Sequence, residues 1–191
     1  MKQLFAVVFI LSAMPIFAQP KLSVFKSSAS IRADIEKVAS DYFEDFNNIK
    51  GDTIIESVST IQFNSKVIPA GALDATVTKY KTLKSYSWQS TMFKTEEFKE
   101  AVAKYKQYFR QLEGATVTFN NKNSYKISGN YDAPDEVRSF ASSTLEVKSY
   151  DPNLKLFKVE IGLNFAYPEW IVRIMVYEKP ADEDIRPSAK M

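Results

Sequence analysis

Two stretches decide how this chain is read: YFEDFNNIKGDTI, Tyr42–Ile54, and YKQYFRQLEGATV, Tyr105–Val117. Around the first, Ile31, Ile35, Val38, Ala39, Tyr42, Phe46 and Ile49 recur at steps of 4, 3, 1, 3, 4 and 3, the stripe of an amphipathic helix. Ser30 stands where a cap accepts the first free amides, and Gly51 where a left-handed residue ends the helix. Around the second, Phe98, Ala101, Val102, Tyr105, Phe109 and Leu112 repeat the stripe. Here Thr95 is the cap, Glu96 and Glu97 fill the first turn, and Gly114 is the stop. The spacing predicts two helices of about 18 residues each.

Displacing one window on the other by 63 positions aligns Tyr42 with Tyr105, Phe46 with Phe109, Gly51 with Gly114 and Thr53 with Thr116. Any two amphipathic helices share a period, so four identities in the 20 positions from Ile35 to Ile54 decide little by themselves. The common glycine register and the strand-like start after it, TII against TVT, favour tandem duplication. The competing account is a coincidence of two ordinary helix-to-strand connections.

After each helix the apolar period falls from 3.6 to 2. Strands are expected near 53–61, 63–68, 75–83 and 85–93 in the first half, broken by IPAGALD at Pro69 and Gly71. In the second half they are expected near 115–120, 124–131, 139–149, 154–166 and 170–178, with DAPDEV and YDPN as turns. The clearest alternation puts Phe157, Val159, Ile161, Leu163 and Phe165 on one face and Lys158, Glu160, Gly162 and Asn164 on the other. A helix followed by several hairpin-connected strands, twice over, predicts an α+β fold with two helices packed on one face of an antiparallel β-sheet. The expected units are a signal peptide at 1–18, an N-terminal segment at 19–30, a single domain at 31–179 built of repeats 31–94 and 95–179, and a disordered tail at 180–191.

In element order the chain resembles β-lactamase-inhibitor-like duplications, in which helical segments lie on antiparallel sheets. With F-x-x-I-K-G at Phe46–Gly51, it is also similar to uncharacterised exported bacterial α+β proteins. The resemblance implies a fold and carries over no functional residue.

The start, MKQLFAVVFILSAMPIFAQP, has Lys2, a 15-residue apolar run from Leu4 to Ala18, and a small residue before polar chain. Such a run is short for the roughly 30 Å of a bilayer core and reads as a secretory signal cleaved after Ala18. The expected location is periplasmic or secreted, and no Cys follows the run to take a lipoprotein anchor. Removing Lys2 with that segment leaves 24 basic and 23 acidic residues from the original 25 and 23, a balance that disfavours nucleic acid. No further apolar run predicts an integral membrane segment.

The chain has no His and no Cys, which removes Ser-His-Asp and Cys-His dyads and zinc sites of the usual kind. Five glycines leave little material for a phosphate loop, and no cofactor or metal is expected. Ser23 and Lys26 match a Ser-x-x-Lys pair, but an exposed terminus does not desolvate a lysine. Asp41, Glu44 and Asp45 read as the solvated face of the first helix, and Asp182–Asp184 as a tail in water. Paired carboxylates for glycoside hydrolysis leave no sequence signature, so a carboxylate-dependent hydrolase stays as the alternative.

Aromatic residues are the one excess. Tyr86, Trp88 and Met92 share a strand face, to be read as core or as a ligand platform. If Val172, Ile174 and Val176 continue the core face of Phe157–Phe165, then Ile171, Arg173, Met175 and Tyr177 point to a helix-free face, with Tyr167 and Trp170 at the adjoining turn. Arg, Tyr and Trp are enriched at interface centres. That face can hold a partner, pair two copies as a homodimer, or be buried within the monomer. The expected function is an exported binding or interaction module without catalysis, its partner a protein or an apolar small molecule. An envelope structural component is a further alternative.

Overall fold

The computed structural model describes residues 28–119 and 123–178. The expected signal segment, the Ser23–Lys26 pair and the tail with Asp182–Asp184 lie outside these. The chain runs α1 (Ser28–Ser40), a single 3-10 turn (Tyr42–Glu44), then β1 (Lys50–Glu56), β2 (Thr60–Ser65), β3 (Asp74–Tyr80) and β4 (Ser85–Thr95). After α2 (Phe98–Leu112) come β5 (Thr116–Phe119), β6 (Asn123–Gly129), β7 (Phe140–Val147), α3 (Pro152–Leu156), β8 (Phe157–Ala166) and β9 (Glu169–Glu178).

The strands form one nine-stranded antiparallel sheet in the order β1-β2-β3-β4-β9-β8-β7-β6-β5. Each half is a meander, because short hairpins can join only antiparallel neighbours. The two meanders meet where β4 pairs with β9, while α2 carries the chain from that centre to the far edge at β5. The architecture is therefore α+β and dominated by the sheet.

The core lies where alternate strand residues meet the buried face of α2. Phe157, Val159, Ile161 and Leu163 of β8 are fully buried, opposite Val172, Ile174 and Val176 of β9. Ala101, Tyr105, Phe109 and Leu112 of α2 are buried with them, one residue per turn as the sequence period requires. Trp88 has 0% exposure and its Nε1 donates to Ser65 Oγ at 2.9 Å, which satisfies the one polar atom that its burial would otherwise strand. Each large apolar side chain so buried contributes about 1.5–3 kcal/mol.

Several expectations are corrected. The first helix stops at Ser40, well before Ile49, because Asp41 diverts the backbone. Its carboxylate accepts from Asn48 N at 3.0 Å, Ile49 N at 3.2 Å and Asn48 Nδ2 at 2.5 Å. Asp41 is 5% exposed, so it is not part of a solvated helix face. Asp45 and Phe46 then adopt φ of 54° and 55°. Left-handed non-glycine residues cost roughly 1–2 kcal/mol each, a strain that the Asp41 bonds hold in place.

Gly51 is no helix stop: it lies in β1, where an added Cβ would come 3.1 Å from Asn64 O. Gly114, by contrast, has φ of 71° just after α2 and ends it as expected. The aligned glycines thus serve different ends. Thr95 sits earlier than a cap, accepting from Glu97 N at 3.1 Å and donating to Glu100 Oε2 at 3.0 Å. The stretch 154–156, expected as strand, belongs to α3. Asp151 caps it by accepting from Asn153 N at 2.9 Å, and Pro152 opens its first turn.

Candidate functional site

Alternation sends half of each strand's side chains away from the core, and the pairing register lines them up across the sheet. One row runs Asn64, Thr76, Gln89, Met175, Glu160 and Thr144 through β2, β3, β4, β9, β8 and β7. The next runs Gln62, Thr78, Ser87, Tyr177, Lys158 and Glu146. A third runs Asp74, Thr91, Arg173, Gly162 and Ser142. Hydroxyls and amides dominate, and the side chains of α2 that reach the sheet, Phe98 and Tyr105, meet Trp170 and Ser143 on the other face.

Where these rows cross β2–β4 and β9 the face sinks into a groove of about 570 Å³. Its floor is Gln62, Asn64, Thr76, Gln89, Thr91 and Arg173. Asp74 and Lys94 add one charge of each sign, and Ile54, Ile68 and Leu73 form an exposed apolar rim.

Two bulges shape it. In β4 the register steps from Thr91 opposite Arg173 to Phe93 opposite Val172, so Met92 is the extra residue. The slip flips the later residues and aims Lys94, opposite Ile171, into the groove with Thr91. In β1 the register steps from Thr53 opposite Phe63 to Ile55 opposite Gln62, leaving Ile54 on the rim. The loop between β2 and β3 supplies Ile68 and Leu73, turning at Gly71 with φ of 84°.

Within the groove Asp74 is tied down, its Oδ1 accepting from Thr91 N at 3.2 Å while its backbone carbonyl accepts from Ser90 Oγ at 2.7 Å. Arg173 donates from its guanidinium to Asn164 Oδ1. Among the described residues its Nε is buried without a hydrogen-bond partner, which costs about 1–3 kcal/mol. Lys94 faces Glu169 at 3.7 Å, an exposed pair of little strength. Beside the groove, Tyr177 donates its hydroxyl to Glu160 Oε2 at 2.5 Å. Burial, reinforced by that bond and by the charges of Glu160 and Glu146, holds the Tyr177 phenol well above the usual tyrosine range.

Of the residues singled out from sequence, Arg173, Met175 and Tyr177 lie on this open face, each half-buried. Ile171 shares the face but is buried. Trp170 points to the core side between Phe98 at 4.8 Å and Phe165 at 5.0 Å, ring centre to ring centre. Tyr167 stands 90% exposed in the β8–β9 turn, away from the groove. Trp88 is core and out of reach of a surface partner, and Tyr86 lines a different pocket beside Tyr42.

The groove residues Gln62, Asn64, Thr76 and Lys94 were not anticipated. TIQFNS and DATVTKY do carry the signal, polar residues at alternate positions facing away from Phe63 and Val77. What alternation leaves open is which strands stand next to Arg173. Among the described residues no group of three or more Asp, Glu, His or Cys could hold a metal ion, and no helix is long and apolar enough to cross a membrane. Comparison with family models, curated proteins and solved structures gives no match.

Proposed function

We propose that this chain is an exported binding module without catalysis, which recognises a protein partner on the open face of its sheet. The observation that carries the reading is the groove at Arg173. It joins a floor of hydrogen-bonding side chains to an apolar rim, the composition of an interface that needs both anchors and polar register. The polar floor disfavours an apolar small molecule, whose burial would leave Gln62, Asn64 and Gln89 without partners. It also disfavours the hydrolase alternative, since among the described lining residues Asp74 is the sole carboxylate.

The same reading extends to the origin of the fold. Repeats 31–94 and 95–179, each a helix followed by a meander, are proposed to descend from one unit, with β9 and α3 as additions to the second, since the first meander has four strands and the second five. The support is element order and not the aligned glycines, because Gly51 lies in β1 while Gly114 follows α2. Tyr42 touching Phe157 at 5.0 Å, and Phe98 touching Trp170, support helical segments on a single face, because Phe157 and Trp170 project to the same side.

The test is capture from an envelope extract with the mature chain, run beside Gln89→Lys and Thr76→Arg, which fill the groove, and Lys99→Glu on the outer face of α2. A partner retained by the native chain and by the α2 variant, lost by both groove variants, and rebound after purification supports the reading. Equal retention by all four proteins defeats it.

A further inference from the structure

We propose that a second pocket, on the helix side of the sheet, binds an organic cation of the substituted-ammonium class. The pocket holds about 350 Å³ where the turn after α1 meets the ends of β4 and β9. Tyr42, Phe43 and Tyr86 line it above the buried Phe46, together with the acidic residues Asp45 and Glu178. Asn153 and Leu156 of α3 close one side.

The chemistry of that lining is selective. Aromatic faces carry negative electrostatic potential and attract a cation, most strongly when it is partly withdrawn from water. Two carboxylates add net negative charge without any cationic group among the lining residues. An anion would be repelled, and a neutral apolar ligand would desolvate Asp45 and Glu178 with nothing in return.

Tyr42 stands at the junction of these parts. Tyr42 and Glu178 line the same pocket, and burial, then the charge of Glu178, hold the Tyr42 phenol well above the usual range. Its ring meets Phe43 at 5.1 Å and Phe46 at 6.2 Å, both edge-on.

Two lysines stand just outside the pocket lining. Lys50 and Lys79 each hold an ammonium 5.6 Å from the Tyr86 ring centre. Lys50 is anchored by donating to Asn47 Oδ1 at 2.6 Å and lies 4.8 Å over Phe63. With its electrons already engaged, Tyr86 serves as a wall, and the cation belongs at the end bounded by Tyr42, Phe43, Asp45 and Glu178. The strained pair Asp45 and Phe46 supports a purpose for that end. Their left-handed backbone leaves Asp45 exposed and Phe46 buried at the pocket, in a turn that the Asp41 bonds hold.

The test titrates the native chain with choline and with its neutral isostere 3,3-dimethylbutan-1-ol at physiological salt, followed by calorimetry and by ligand-observed NMR. Phe43 and Glu178 are exposed, so Phe43→Ser and Glu178→Gln should fold normally, as circular dichroism will verify. Saturable choline binding roughly tenfold tighter than that of the isostere is expected, with each substitution weakening it several-fold. Three results overturn the proposal: no saturable choline binding, equal affinity for the isostere, or binding unchanged in both folded variants.

Discussion

Replacing Asp41 with alanine tests the turn on which the first half of the molecule depends. Three donors would lose their acceptor: the backbone amides of Asn48 and Ile49 and the Asn48 side chain. They are not equivalent. Asn48 is exposed and water can serve its side chain, whereas Ile49 is buried and its amide has no substitute. A hydrogen bond to a charged group contributes about 1.5–3 kcal/mol when its loss strands the partner, and a partly hydrated one nearer 1 kcal/mol. With about 1.5–3 kcal/mol for the Ile49 amide, about 1 kcal/mol for the Asn48 amide and the Asn48 side chain rehydrated without loss, the expected loss is about 2.5–4 kcal/mol. At a urea m-value near 2 kcal/mol per M, the unfolding midpoint should fall by about 1–2 M. Asp41→Asn keeps one acceptor oxygen and should lie between. Because the turn also presents Tyr42, Phe43 and Asp45, the alanine variant should bind choline more weakly than its residual fold would suggest. An Asp41→Ala midpoint within about 0.3 M of the native value would refute the claim that this carboxylate bends the chain.

Other substitutions probe the sheet and the core. A Cβ on Gly129 would sit 1.9 Å from the Thr144 carbonyl oxygen, so Gly129→Ala must part β6 from β7, and a midpoint shift below about 0.5 M would contradict the pairing. Trp88→Ala should cost about 3–5 kcal/mol in urea unfolding, and less than about 1 kcal/mol would place Trp88 outside the core. Burial raises the phenol of Tyr105 to about 12, its hydroxyl lying 2.6 Å from Ser143 Oγ, and raises Tyr42 and Tyr177 further. Each folded value exceeds the unfolded value near 10, so their contribution is complete below about pH 10 and is lost as pH climbs toward the folded values. Urea midpoints should hold up to about pH 10 and fall between about pH 10 and 12, less steeply in Tyr177→Phe; a flat native profile over that range would show these phenols to be solvated.

Much of the sheet was legible because a strand writes its two faces into neighbouring residues. LFKVEIGLNF and WIVRIMVY set Phe157–Leu163 and Val172–Val176 inward and Arg173, Met175 and Tyr177 outward, as found. The stripe of α2 was equally local. The end of α1 was hidden because Tyr42, Phe46 and Ile49 keep a helical period while Asp41 captures amides seven and eight residues ahead. Periodicity records which residues are buried, not the path that buries them. For α3 a local signal existed, Asp151 followed by Pro152, but the strong alternation just beyond it masked so short a helix. The groove was out of reach for a different reason. Lys94 enters it only because Met92 bulges, and Gln62 and Asn64 join Arg173 through the order of β2, β3, β4 and β9, a relation between distant parts of the chain.

Recognition through the open face is tested most directly by site-specific photocross-linking in living cells. A benzophenone amino acid at Gln89, at the floor of the groove, and at Lys99, on the outer face of α2, would be irradiated in parallel. The account predicts a discrete adduct heavier than the chain from position 89, containing a second, different protein, and none from position 99. Adducts from position 99 alone, no adduct from either, or an adduct made of two copies of this chain would contradict it.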